Sequence, residues 1–299
     1  MHNSRLSILS NATEEDVFLD PYPHLVVRNA LDKEIFQQLR DEQPDVDIVL
    51  NGREKKDTWY DYPAILACEN NDVSPLWREF MEYHTSDIFF REILRIFKNA
   101  LNRTYPDLED TLGKELKALS CSRRRTGAAK NPRNYETDLS MECQFYVNFT
   151  EQPRAVRGPH VDRPTELYAA LLYFRGDDDD SVGSDLDICK AKNVTELYPS
   201  PGKIKVDEPP MEVIDNKVDV VRTVKYEANT LVFFINSERS IHAVSPRTAT
   251  PVPRRHVNFT GDLFNLDNKE LFEVLHTPKH KLKVWLEEQP LIWRFANYL

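Results

Sequence analysis

The hydrophobic period of the chain changes near Leu139, and that change limits the folds open to it. Upstream, apolar residues recur every three or four positions. Leu31, Ile35, Phe36 and Leu39 share one face of a predicted helix through Arg40, with Asp32 at its N-cap or first turn. Ser74 as N-cap and Pro75 at the first helical position open a second helix through His84, with Leu76, Trp77, Phe80 and Met81 on its apolar face. A third runs from Ser86 or Asp87 to about Leu101 and carries Ile88, Phe89, Ile93, Leu94, Ile96 and Phe97. Downstream the period is two: Glu142, Gln144, Tyr146 and Asn148 alternate with Cys143, Phe145, Val147 and Phe149. A polar face on a central strand is unusual unless it lines a pocket, which makes Gln144 and Tyr146 candidate pocket residues.

More strands follow. Leu167 to Phe174 is a nearly continuous apolar run, read as a buried strand. An acidic turn, Asp177–Asp180 with Gly183, leads to a strand from Asp185 to Cys189. Arg222–Tyr226, Thr230–Ile235, His242–Val244 and Val257–Phe259 read as strands, and Leu25–Val27 as a short β-run. Residues 1–20 read as loose and 41–73 as irregular. Residues 190–220 read as a proline-rich insertion over the rim. The tail holds a helix near Asn268–Leu275 and an end rich in Trp285, Leu291 and Trp293 that packs on the core. Helices followed by about eight short antiparallel strands predict an α+β chain. The expected core is a double-stranded β-helix (a cupin-like jelly roll), with the N-terminal helices packed on one sheet. The expected division, within one compact domain, is a helical support over 1–138, a jelly-roll core over 139–262 and a helical tail over 263–299.

His160 and Asp162 flank Val161 on an extended segment, so both point to the same side and can reach one metal ion. His242, in Ser240-Ile241-His242-Ala243-Val244, is placed to be a third ligand, and only a closed sheet sandwich brings it to His160. Two His and one carboxylate on one face of an octahedron leave three positions open. That suits a non-haem Fe(II) that binds a cosubstrate and O₂; zinc is more often held in a closed tetrahedron, or with one open position. A lone His-x-Asp also arises by chance, and eight His leave room for accidental pairs.

The net charge of −10 and pI of about 5.4 argue against nucleic acid as a partner. No stretch approaches the ~18 apolar residues of a membrane span, and the start of the chain lacks the apolar run of a signal peptide, so a cytoplasmic protein with no membrane partner is expected. Four Cys without regular spacing read as free thiols. Ser120 to Arg133 reverses the overall sign: it carries Arg123, Arg124, Arg125, Lys130 and Arg133 and no acid. It reads either as a solvated loop or as a loop that grips an anionic group.

These pieces together resemble the 2-oxoglutarate and Fe(II)-dependent dioxygenases, closest to the prolyl-hydroxylase-like branch. The matching residues are His160-x-Asp162, Leu171-Leu172-Tyr173-Phe174, Asn229 to Phe234, Ser240 to Pro246 and Arg254 to Phe259, covering roughly residues 139–262. The resemblance implies Fe(II) on His160, Asp162 and His242, with 2-oxoglutarate and O₂ as cosubstrates and ascorbate as a reductant. It implies hydroxylation, desaturation or ring closure at an unactivated C–H, with release of succinate and CO₂. The far carboxylate of the oxo acid pairs with an Arg, and Tyr173 matches a tyrosine that helps to hold it. Parity on the strand favours Arg254 over Arg255 for that role. If Arg254 points inward, so do His256, Asn258 and Thr260, while Val257 and Phe259 pack on the helices. Asn258 also matches a small polar residue that the family places four positions after its Arg.

Two other readings stand beside this one. One is a cupin-like metal enzyme that uses no oxo acid. The other is a β-sandwich binding protein whose His and Asp are accidental. Arg123, Arg124, Arg125, Arg157 and Arg163, on or near the expected mouth, point to a small anionic substrate, an amino acid or a carboxylated biosynthetic intermediate, with a peptide or protein side chain as the other reading. Oligomeric state is not legible.

Overall fold

The strands after Leu139 change sheets at nearly every step, and this alternation places the candidate site. A computed structural model describes residues 4–125, 137–193, 211–213, 215–263 and 271–272. In chain order the elements are β1 (His24–Arg28), α1 (Lys33–Asp41), α2 (Val46–Leu50), β2 (Trp59–Pro63), α3 (Ala64–Glu69), α4 (Pro75–His84), α5 (Asp87–Thr104), α6 (Leu108–Leu112) and β3 (Cys121–Arg123). They continue with β4 (Leu139–Thr150), β5 (Arg154–Val161), β6 (Glu166–Tyr173), β7 (Leu186–Ala191), β8 (Met211–Glu212), β9 (Val218–Val224), β10 (Thr230–Ile235), β11 (His242–Arg247) and β12 (Thr250–Leu263).

The larger sheet has the order β1-β10-β6-β12-β4-β2, with β3 parallel to β4; the smaller has the order β8-β5-β11-β7-β9. The other pairings are antiparallel. The chain is thus a mixed α/β protein with two sheets, consistent with a jelly-roll-like fold.

The helices cover one face of the larger sheet. Ser74 caps α4 by accepting from the Trp77 amide, and Asp32 caps α1 by accepting from Glu34 and Ile35. Trp77, fully buried, meets Phe145 edge-on at 4.6 Å, and Phe97 of α5 stacks on Phe233 at 4.7 Å. Phe259 packs among Phe80, His84 and Phe89. The odd-numbered residues of β12 therefore join the helices in one core, together with Met141, Cys143, Phe145 and Val147 of β4. The even-numbered residues are left facing the smaller sheet.

Several expectations need correction. Residues 4–20 are not loose: Leu6, Ile8 and Leu9 are fully buried, and the Ile8 amide donates to His84 Nε2 at 3.2 Å. Three apolar side chains in a polar stretch fill a seam that periodicity could not reveal. Residues 41–73 are not irregular but hold α2, β2 and α3. There, Gly52 and Pro63 mask short elements that exist because Tyr60 and Tyr62 enter the main core.

The last strand is longer than Val257–Phe259, because Pro251 and Pro253 sit where the β12–β4 register shifts between Thr250 and Arg254. That shift absorbs residues expected in a Thr248–Pro253 turn. There are twelve strands among the described residues rather than about eight; besides β1, expected as a short β-run, the additions are β2 and β3 in the larger sheet and β8 in the smaller. Lys130, Arg133, most of the 190–220 insertion and nearly all of the expected tail, including Trp285, Leu291 and Trp293, lie outside the described residues.

The four cysteines are free thiols. No helix among the described residues is long and apolar enough to cross a membrane.

Candidate metal centre

His160, one residue before the end of β5, lies directly opposite His242 in the β5–β11 register. Val161 turns away and is fully buried in a separate apolar cluster, so Asp162 swings back to the side of His160. Each imidazole is held by the carbonyl two residues earlier: His160 Nδ1 lies 2.8 Å from Gly158 O, and His242 Nδ1 lies 2.9 Å from Ser240 O. A carbonyl oxygen can only accept, so both rings carry the proton on Nδ1 and turn a lone pair out from Nε2. The two Nε2 atoms stand 3.8 Å from Asp162 Oδ1 and 3.7 Å from Asp162 Oδ2. These are too long for hydrogen bonds, yet one ligand atom from each of the three residues falls within 4.8 Å of the others. Burial, then the neighbouring charges of His242 and Arg157, hold His160 well below the usual imidazole range and so in the neutral, ligating form. The donor set fits a divalent metal held on one face.

Phe234 packs on His242 at 4.7 Å between ring centres. The Tyr22 hydroxyl donates to Ile241 O at 3.1 Å, and its ring meets Phe234 edge-on. Tyr22 is an unforeseen support: it lies far upstream, and only β1 pairing with β10 brings it in.

Arg254 projects between the sheets and is 2 % exposed. Its guanidinium lies over the rings of Tyr173 and Tyr226, at 5.1 and 5.0 Å. Nη1 donates to His256 Nδ1 at 2.9 Å. Nε, Nη2 and the Tyr173 hydroxyl are buried with no well-directed hydrogen-bond partner. Burial pushes Tyr173 up to about 12, and the adjacent guanidinium partly offsets this. Nε and Nη2 form the edge of a guanidinium that takes a carboxylate side-on. Arg255 points the other way, donating to Gln43 Oε1 at 3.4 Å and Pro44 O at 3.3 Å in the helix layer.

Tyr146, half-buried, meets His256 at a tilt, ring centres 4.8 Å apart, and stacks on Trp59 of β2 at 5.3 Å. Burial first, and then the charge of Asp61, push the Tyr146 hydroxyl up, while Arg157 and Arg254 pull it back. Gln144 and Asn258 are half-buried partners across β4 and β12 on the same inner face.

The arginines assigned to substrate separate. Arg157 stays at the site, close enough to His160 and Tyr146 to act on both. Arg163 is bound to Glu166 Oε1 at 2.8 Å through Nε and lies 3.7 Å from Asp262. Arg124 also bridges to Asp262 and donates to Thr260 Oγ1. Arg123 turns to the helix layer and donates to Thr85 Oγ1 at 3.3 Å, while Arg125 is exposed. Sequence reasoning missed His256 and Tyr226 as contacts of Arg254. His256 was legible as a residue on the face of Arg254; Tyr226 comes from the end of β9 and carries no local signal.

No family model matches the chain, and no curated protein does. Among solved structures, the chain is similar to a prolyl 4-hydroxylase from Phytophthora capsici (15% identity, TM-score 0.46, 88% of this chain covered). It spans 66% of that protein's length. It is also similar to a prolyl-4-hydroxylase of Pseudomonas putida (14% identity, TM-score 0.42, 84% of this chain and 97% of that one). A third is HygX from Streptomyces hygroscopicus, solved with nickel and 2-oxoglutarate bound (11% identity, TM-score 0.38, 80% of this chain and 82% of that one).

Proposed function

We propose that the protein is a non-haem Fe(II), 2-oxoglutarate-dependent oxygenase acting on a small anionic molecule. One observation carries the reading. A two-His, one-carboxylate set and an arginine with a buried, unpartnered side-on edge face the same space between two sheets. The order of the strands supports it, since β4 to β7 and β9 to β12 divide between the sheets as the eight strands of a double-stranded β-helix do. A binding protein with accidental His and Asp has no reason to fix both imidazoles through Nδ1. A metal enzyme without an oxo acid leaves the Arg254 edge unexplained, because a buried donor without a partner is destabilising.

His160, Asp162 and His242 would hold the metal, and Arg254 with Tyr173 the far carboxylate of 2-oxoglutarate. When bound, Fe(II) with the oxo acid and O₂ supplies the oxidising power for an unactivated C–H, with succinate and CO₂ released. The chain supplies placement. Gly158 O and Ser240 O fix the imidazole planes. Tyr173 and Tyr226 wall the guanidinium and keep water from it. Arg157, whose charge reaches both His160 and Tyr146, would draw the anionic group of the substrate toward Asp162. Asp162 fills the position that a halide would need, which favours hydroxylation, desaturation or ring closure.

The test is succinate release from 2-oxoglutarate against a metabolite library, followed by mass spectrometry of the consumed compound. A gain of one oxygen, or a loss of two hydrogens, is expected. A chlorinated product in chloride buffer would contradict the reading.

A further inference from the structure

His256 is the neighbour of Arg254 that the proposed function leaves without a role. It is 6 % exposed, sits two residues along the same strand face, and lies between Tyr146 and Tyr173, with ring centres 4.8 and 6.3 Å away. An arginine can only donate. The 2.9 Å contact from Arg254 Nη1 therefore requires an unprotonated Nδ1 on His256, and the ring proton sits on Nε2. Burial first, and then the charge of Arg254, keep the imidazole neutral and so preserve that acceptor.

A guanidinium offers three hydrogen-bonding sides, and a buried one can rotate its plane between them. Here Nη1 is tied to a ring that is itself wedged between two tyrosines. What remains is the Nε–Nη2 edge, which has no well-directed partner. We infer that His256 is a positioning residue: by holding Nη1 it presents the side-on edge of Arg254 to the distal carboxylate of the oxo acid. This rests on the oxo-acid reading of the site, and it adds a determinant of cosubstrate choice.

The test uses full-length protein loaded with Zn(II), a metal that binds without turnover, and calorimetric titration with two ligands. 2-Oxoglutarate has both the chelating oxygens and the distal carboxylate; oxalate has only the chelating oxygens. His256→Phe keeps the ring between the tyrosines and removes the acceptor. His256→Asn removes the ring and keeps an acceptor near the Nδ1 position. His256→Leu replaces the Phe variant if that one does not fold, as judged by its melting without ligand.

The acceptor-free variant should lose affinity for 2-oxoglutarate by about tenfold or more, as expected for one charge-assisted hydrogen bond, with oxalate affinity unchanged. The Asn variant should recover most of the loss. Wild-type affinity for 2-oxoglutarate in the acceptor-free variant, or an equal loss for both ligands, would overturn the inference. Wild-type protein that binds oxalate but no 2-oxoglutarate would overturn the oxo-acid reading, and the inference with it.

Discussion

Arg254 and Arg255 are neighbours on β12 with opposite surroundings. Arg254 is enclosed by two tyrosine rings and an imidazole, and two of its nitrogens lack partners. Arg255 spends its donors on Gln43 and Pro44. The two substitutions should therefore separate cleanly. Arg254→Leu should raise the KM for 2-oxoglutarate about a hundredfold, since a buried carboxylate that loses its charged partner forfeits roughly 3 kcal/mol. Arg255→Leu should leave that KM within about twofold and act only on stability. Steady-state kinetics of oxo-acid consumption decide it, and a larger effect from Arg255 would reverse the assignment. The facing of the two residues was legible because a strand has a period of two and Val257 and Phe259 demanded the helix side. The enclosure of Arg254 was not, because Tyr226 reaches it from the segment just after β9, a strand of the other sheet.

Elements show the same division. β12 gives one face to the candidate site and the other to the helices, so damage on each face should have different consequences. Phe259→Ala should lower the unfolding free energy by about 3–5 kcal/mol through the cavity left among Phe80, His84 and Phe89. It should leave the KM for 2-oxoglutarate of the remaining folded protein unchanged. Denaturant titration beside the kinetics tests this, and a changed KM at unchanged stability would contradict it. The turn between β6 and β7 offers a second check. Gly183 has φ +88°, and a side-chain carbon there would stand 1.7 Å from Pro246 O. Gly183→Ala should therefore lower Tm by several degrees, from strain and a displaced β11. The strong helices and β4 were legible from their periodicity, whereas only three residues of the longer β12 were. Strands β2 and β3 were not, because a strand of five or three residues has too few alternations to stand out and forms only by pairing with β4.

Across the whole molecule, the first residues of the chain are tied to the helix layer by hydrogen bonds to Glu92, Asn99 and a buried histidine. His84 is fully buried, its Nδ1 lies 2.7 Å from Phe80 O, and its Nε2 accepts from the Ile8 amide. Burial pushes its pKa down to about 3 from an ordinary 6.5. The unfolded chain thus takes up a proton between these values that the folded chain refuses, so stability is complete above pH 6.5 and falls as the pH drops toward 3. Replacing His84 by Gln should flatten the acid limb of the stability profile by up to about 1.4 kcal/mol per pH unit. A limb unchanged by the substitution would place the proton uptake elsewhere.

The same burial explains why the start of the chain could not be read. Polar residues surround Leu6, Ile8 and Leu9, and only the assembled layers supply the seam that they fill. The triad was approached from the opposite direction, since the spacing of His160 and Asp162 already required a second strand to complete it. This triad and Arg254 should bind one metal and one oxo acid together. Anaerobic titration of 2-oxoglutarate into Fe(II)-loaded protein, followed by the visible charge-transfer absorption of a chelated oxo acid, tests it most directly. The expected result is a saturable band at one equivalent in the wild-type protein, absent in His160→Ala and His242→Ala variants that melt normally. No band in the wild type, or an undiminished band in either variant, would contradict the claim.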